Sequence, residues 1–184
     1  MSDYTPTILE LTPAPAGTTI TELLRLVRRN YHFAWPRGVE RRPDTGRLVG
    51  SLSLGDNRVT MEAHARPDYE DRSREYLTID LDSTAYESAY DLLREQVHPR
   101  GKQALVDFCI EVAASLKVEG FRLRFVADEP DPLSVDKLVA AMTSTDHCGL
   151  VSGLALSSAS IDKIRGYWFR KAKEMLGYLV IVLI

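Results

Sequence analysis

The chain has 184 residues, 45 % of them hydrophobic and 27 % charged, with a formal net charge of −3. These values fit one globular domain able to bury about 70 % of its extended-chain surface. They exclude a low-complexity chain, and the negative balance leaves no global positive field to recruit nucleic acid.

No charged stretch followed by an apolar segment opens the chain, so no secretory signal is expected. Two cysteines, Cys109 and Cys148, read as free thiols of a reducing compartment, which makes a cytoplasmic location the expectation. Charge is uneven: residues 1–60 carry +2, residues 61–136 carry −8 and residues 137–184 carry +3. Displayed on one surface, the acidic middle would attract a basic partner and speed its encounter.

Residues 1–17 contain Pro6, Pro13, Pro15 and Gly17 around a short apolar patch, Ile8-Leu9-Glu10-Leu11. Prolines remove backbone donors, so this reads as an extended N-terminal arm or an edge strand. Thr19-x-x-Glu22 reads as a capping box opening a helix over 19–31, with Ile20, Leu23, Leu24, Val27 and Tyr31 on one side. Residues 32–46 form a loop whose Phe33 and Trp35 mix with Arg37, Arg41 and Arg42. Aromatic and basic residues together can stack bases, but a loop anchored by its aromatics into the core is the favoured account.

Segments 47–54 and 58–65 alternate apolar and polar around Gly55-Asp56-Asn57 and predict a β-hairpin. Residues 66–75 are charged and predict an exposed loop. A third strand follows at 76–82, with Leu77, Ile79 and Leu81 facing inward. Ser83 or Thr84 can cap a helix to about Gln96, and His98-Pro99-Arg100-Gly101 breaks it. A helix over 102–118 is expected to stop at Gly120, followed by a strand over 121–127 and a short helix over 134–142. Residues 148–156 read as an irregular strand because of their two glycines. A helix over 159–176, striped with Ile161, Ile164, Trp168, Ala172 and Met175, leads into the apolar run Tyr178–Ile184.

That run is too short for a helical membrane span, and its aliphatic residues suit a strand buried on both faces. The N-terminal arm, the Phe33–Trp35 loop or a second subunit would have to cover its outer face, which leaves a homodimer open. Altogether the pattern predicts an α+β domain: a mixed sheet of about five strands with helices on one face.

The opposite face would be wet and carry Thr60, Glu62, His64, Tyr76, Thr78, Asp80, Asp82, Arg122 and Arg124. Carboxylates beside an imidazole can ligate a metal or exchange protons, which nominates Glu62, His64, Asp80 and Asp82. The plainer account is a solvated face with ion pairs to Arg122 and Arg124. Asp146-His147-Cys148 suggests a cysteine nucleophile, although its base would have to come from His32, His64 or His98. Lys163, Arg170, Lys171 and Lys173 read as a solvated helix face, so no membrane contact is expected. No phosphate-binding loop, dinucleotide fingerprint or zinc motif occurs, and no cofactor is expected.

Two functions remain. One is a non-catalytic protein-binding module, an adaptor or immunity-like inhibitor, which engages a basic protein partner through Glu62, His64, Tyr76, Asp80, Asp82, Arg122 and Arg124. The other is a small enzyme with an acid/base or metal site around His64, Asp80 and Asp82.

Overall fold

Alternating segments along the whole chain pair edge to edge into a single antiparallel sheet. The computed structural model describes residues 7–38, 46–83, 99–125, 130–144 and 149–183. Its strands are β1 (Thr7–Leu11), β2 (Ala14–Pro15), β3 (Arg47–Leu54), β4 (Asn57–Pro67), β5 (Arg74–Ser83), β6 (Gly120–Phe125), β7 (Val151–Ala155), β8 (Lys173–Met175) and β9 (Tyr178–Val182). Its helices are α1 (Thr19–Asn30), α2 (Pro99–Leu116), α3 (Val135–Thr143) and α4 (Ile161–Trp168). The strands run in the order β3-β4-β5-β1-β6-β7-β9-β8, with β2 paired to β5 beside β1. Every pairing is antiparallel. The α+β class is as the pattern predicts; among the described residues the sheet has nine strands rather than five and is antiparallel rather than mixed.

The N-terminal segment is the largest revision. Thr7–Leu11 form no arm: β1 sits at the centre of the sheet, between β5 and β6, and all five of its residues are buried. Pro6 and Pro13 flank the strand in sequence instead of interrupting it, so Thr7 to Leu11 keep every backbone donor the ladder needs.

On one face of the sheet α1 and α2 cover Leu9, Leu52, Val59, Met61, Ile79, Leu81 and Leu123, and Phe108 of α2 is fully buried among them. Thr19 does not complete a capping box. Its hydroxyl donates to Glu75 of β5, while Glu22 pairs with Arg25. Pro99 opens α2, as its fixed φ allows in a first turn. The stop comes at Lys117, whose φ is +54°, while Gly120 instead begins β6. The charged loop expected over 66–75 shrinks, because β4 and β5 extend it away. The helix expected between 84 and 96 lies outside the described residues.

Among the described residues, helices cover the other face over only half its width. Leu138 and Met142 of α3 and Ile161 and Ile164 of α4 pack with Leu154 of β7 and with Leu179 and Ile181 of β9. Helices therefore lie on both faces, not one. Among the described residues, the outer face of the final strand is covered by these two helices of the same chain. Gly120 permits the approach of α3, since a Cβ there would lie 2.2 Å from Leu138 Cδ2.

The helix expected over 159–176 ends at Trp168. Lys173–Met175 form β8, which returns through Leu176-Gly177 to pair with β9. Phe33 and Trp35 do anchor their loop into the core, with ring centroids 5.1 Å apart.

Candidate functional site

The half of the second face on which no helix of the described residues packs belongs to β3, β4, β5, β1 and β6. Cross-strand register arranges its side chains in rows. One row runs Arg47, His64, Thr78, Glu10 and Arg122; the next runs Val49, Glu62, Asp80, Ile8 and Arg124; a third holds Ser51, Thr60 and Asp82. Glu62, His64, Tyr76, Asp80, Asp82, Arg122 and Arg124 thus share one surface, as alternation predicts. Their pairing is different from the expected one.

The insertion of β1 separates Asp80 from Arg124 by two strand spacings, about 10 Å. The arginines find another partner in Glu10. Glu10 Oε2 accepts from Arg122 Nε at 2.8 Å and from Arg124 Nε at 2.9 Å, and its Oε1 accepts from Arg124 at 2.9 Å. The Glu10 side chain is 1 % exposed, against 17 % for Arg122 and 31 % for Arg124. The bond to Glu10 holds the Arg124 guanidinium still more firmly protonated than usual.

Glu10 went unrecognised in the sequence. Its signal was a single carboxylate in an otherwise apolar strand, with two arginines spaced by two residues elsewhere that require an anion.

Glu62 stands directly across from Asp80. Its Oε1 lies 2.8 Å from His64 Nε2 and 2.7 Å from an Arg47 guanidinium nitrogen, so the imidazole and the guanidinium share one oxygen. Among the described residues, Asp80 and Asp82 have no such ion-pair partner. Each has a buried Oδ1 with no hydrogen-bond partner among the described residues. Burial raises the Asp80 carboxyl above its ordinary range, and the Glu62 charge adds to this while His64 opposes it. Burial alone raises Asp82.

Around this acidic centre stand Arg47, Arg58, Arg66, Arg122 and Arg124. The face is therefore an acidic spot inside a ring of arginines rather than uniformly acidic. Much of the surplus acid of residues 61–136 lies elsewhere in the chain, in Asp68, Glu70 and Asp71 of the β4–β5 turn and in Asp107 and Glu111 of α2.

A cleft of about 360 Å³ opens at the end of β4 and β5, walled by His64, Arg66, Tyr69, Tyr76, Thr78 and Asp131 among others. Burial, followed by the charges of Asp68 and Glu70, raises the Tyr76 hydroxyl above its ordinary pKa. Asp80 and Asp82 do not line this cleft, so the proposed acid–base trio does not converge on one cavity. Among the described residues no three His, Cys, Asp or Glu side chains gather to hold a metal ion.

Cys109 is fully buried in the core, where desolvation pushes its thiol well above the usual range. The Asp146-His147-Cys148 group lies outside the described residues, as does His98. No helix among the described residues is long and apolar enough to cross a membrane. No family model, curated protein or solved structure matches the chain.

Proposed function

We propose that the chain is a non-catalytic protein-binding module, an adaptor or immunity-like inhibitor, that docks a protein partner on the wet half of its sheet. The observation that carries this reading is the pair Asp80 and Asp82 on β5, two partly buried carboxylates that each have an oxygen without a hydrogen-bond partner among the described residues. Such groups are costly in isolation and gain most when a guanidinium or ammonium is brought to them, after a small rotation that turns the carboxylate outward. The ring of arginines favours a partner whose own surface surrounds a basic group with acidic ones, which gives specificity as well as encounter rate. A cytoplasmic setting belongs to the same reading, with Cys109 a reduced core thiol.

The test is comparative capture. Wild-type chain immobilised against lysate of its native host should retain a protein that Asp80→Lys with Asp82→Lys releases, and its retention should fall with salt. An unchanged set of captured proteins would remove the site from contention. The second reading, a small acid/base enzyme, draws on the place of His64 in the cleft wall. It requires His64→Ala to abolish turnover while leaving capture intact.

A further inference from the structure

We infer that the end of the molecule formed by α4, the turn after it and the β8–β9 hairpin docks on an anionic lipid bilayer. This goes beyond the partner-binding face and uses different residues. Large hydrophobic side chains exposed among the described residues are Tyr69, Tyr167, Phe169 and Leu176, and three of these four fall within ten residues of one another. Phe169 is 85 % exposed, Leu176 66 % and Tyr167 47 %. Scattered single exposures are ordinary on a protein surface; a cluster of this kind marks an interaction site.

The fold presents these side chains and does not hide them. Because α4 ends at Trp168, Phe169 leaves the packed stripe. Trp168 itself stays anchored, its indole N–H donating to the Met142 carbonyl. Leu176 occupies the first position of a two-residue hairpin turn, with φ of +48°, followed by Gly177 at +83°. That geometry favours Asn, Asp or Gly and strains leucine. The turn alone gives no reason for a leucine here.

The surrounding charge fixes the partner's chemistry. Lys163, Arg165, Arg170, Lys171 and Lys173 are all exposed in this segment. Arg165 is paired with Glu174, while among the described residues the other four have no carboxylate partner. Lys171 lies over the Trp168 ring.

Phe169 lies in the turn that follows α4 and Leu176 in the turn that follows β8, so the three-residue strand stands between them in the chain. Two separate prongs need no matching pockets in a fluid interface, whereas a protein would have to supply both. Single-stranded nucleic acid stacks on aromatic faces, and Leu176 offers none. Apolar prongs among cations match an anionic headgroup layer over an acyl interior.

Co-sedimentation of the full chain with phosphatidylcholine vesicles, with and without phosphatidylserine, tests the assignment. Binding is expected with phosphatidylserine and should decline in high salt. Arg170→Gln with Lys171→Gln should lower the partition about 30-fold, at roughly fivefold per cation. Phe169→Ser with Leu176→Asn should lower it at least about tenfold. Leu176→Asn alone relieves the turn, so a melting temperature equal to or above wild type shows that lost binding is not lost folding. No binding to phosphatidylserine vesicles, binding indifferent to the apolar pair, or binding to an oligo-dT strand in place of vesicles would overturn the assignment.

Discussion

Replacing Glu10 by Gln removes one charge and almost no volume, at a position where that charge is held by two guanidinium groups. Gln also turns one acceptor oxygen into a donor amide aimed at an arginine. Removing one partner of a buried ion pair costs about 3–5 kcal/mol, because the remaining charge is left without compensation. Arg122 and Arg124 are 17 % and 31 % exposed, so water can reach part of each freed guanidinium. We discount the cost for that screening to about 2–3 kcal/mol. For a chain of this size each kcal/mol moves the melting temperature by about 2–4 °C, which gives a fall of about 4–12 °C. Urea denaturation should show a lower midpoint with an unchanged slope, since the surface exposed on unfolding stays the same. Glu62→Gln is the internal control. Glu62 is 35 % exposed and shares a surface pair with Arg47, a contact that contributes about 0.2–1 kcal/mol. Equal melting temperatures for Glu10→Gln and Glu62→Gln would refute the view that Glu10 is the buried counter-ion of this sheet.

Asp80→Asn should raise stability at neutral pH by about 0.2–1 kcal/mol, because it removes a like charge directly opposite Glu62. The Asp80 pKa is raised in the folded chain, so its favourable contribution is complete below the unfolded-state pKa and is lost as pH rises through the folded one. The advantage of the variant should therefore vanish on acidification, and a constant difference in melting temperature at acidic and neutral pH would contradict this. Gly153→Ala places a Cβ 2.2 Å from the fully buried Phe121 ring, which has nowhere to move. Calorimetry should show a loss of about 1–3 kcal/mol, and a wild-type melting temperature would argue against the β6–β7 register. Cys109, examined in a Cys148→Ser background, should react with a thiol reagent only as fast as the chain opens. Rapid labelling under native conditions would show that the thiol is not in the core.

Local patterning exposed much of this fold and missed what depends on distant partners. Strands β3, β4 and β5 were legible because their alternation is a property of each segment alone. The central place of β1 was not, since it is fixed by pairing residues 7–10 with 78–81 and residues 7–11 with 121–125. No local period encodes that choice, and the neighbouring prolines argued for an edge. Lys173-Glu174-Met175 are good helix formers that continue the spacing of α4, yet Gly177 supplies a hairpin turn and Tyr178 to Val180 supply a strand to join. Pairing outweighed propensity there. Thr19 has the sequence of a cap, but Glu75, 56 residues away, takes its hydroxyl. The site shows the same division. The shared face of Glu62, Asp80 and Arg122 follows from alternation, whereas the partner of the arginines depended on which strand lay between them.

The row Arg47, His64, Thr78, Glu10, Arg122, Ser152 and Ile181 runs across the sheet from β3 to β9 and changes from wet to dry along its length. On the α3–α4 side, Ser152 and Ile181 are fully buried; on the other, Arg47 is exposed. A polarity change within one row places some charged side chain next to the dry half, and here that side chain is Arg122, beside the buried Ser152. A guanidinium in that position cannot shed its charge, so it requires a fixed anion beside it. Glu10 supplies that anion from the central strand and binds Arg124 with its second oxygen, which ties the seam to the row containing Asp80. The buried cluster is therefore the boundary that keeps the polar surface polar. On the docking role proposed above, loosening it by Glu10→Gln should disturb partner capture as well as stability, although Glu10 itself is too buried to touch a partner.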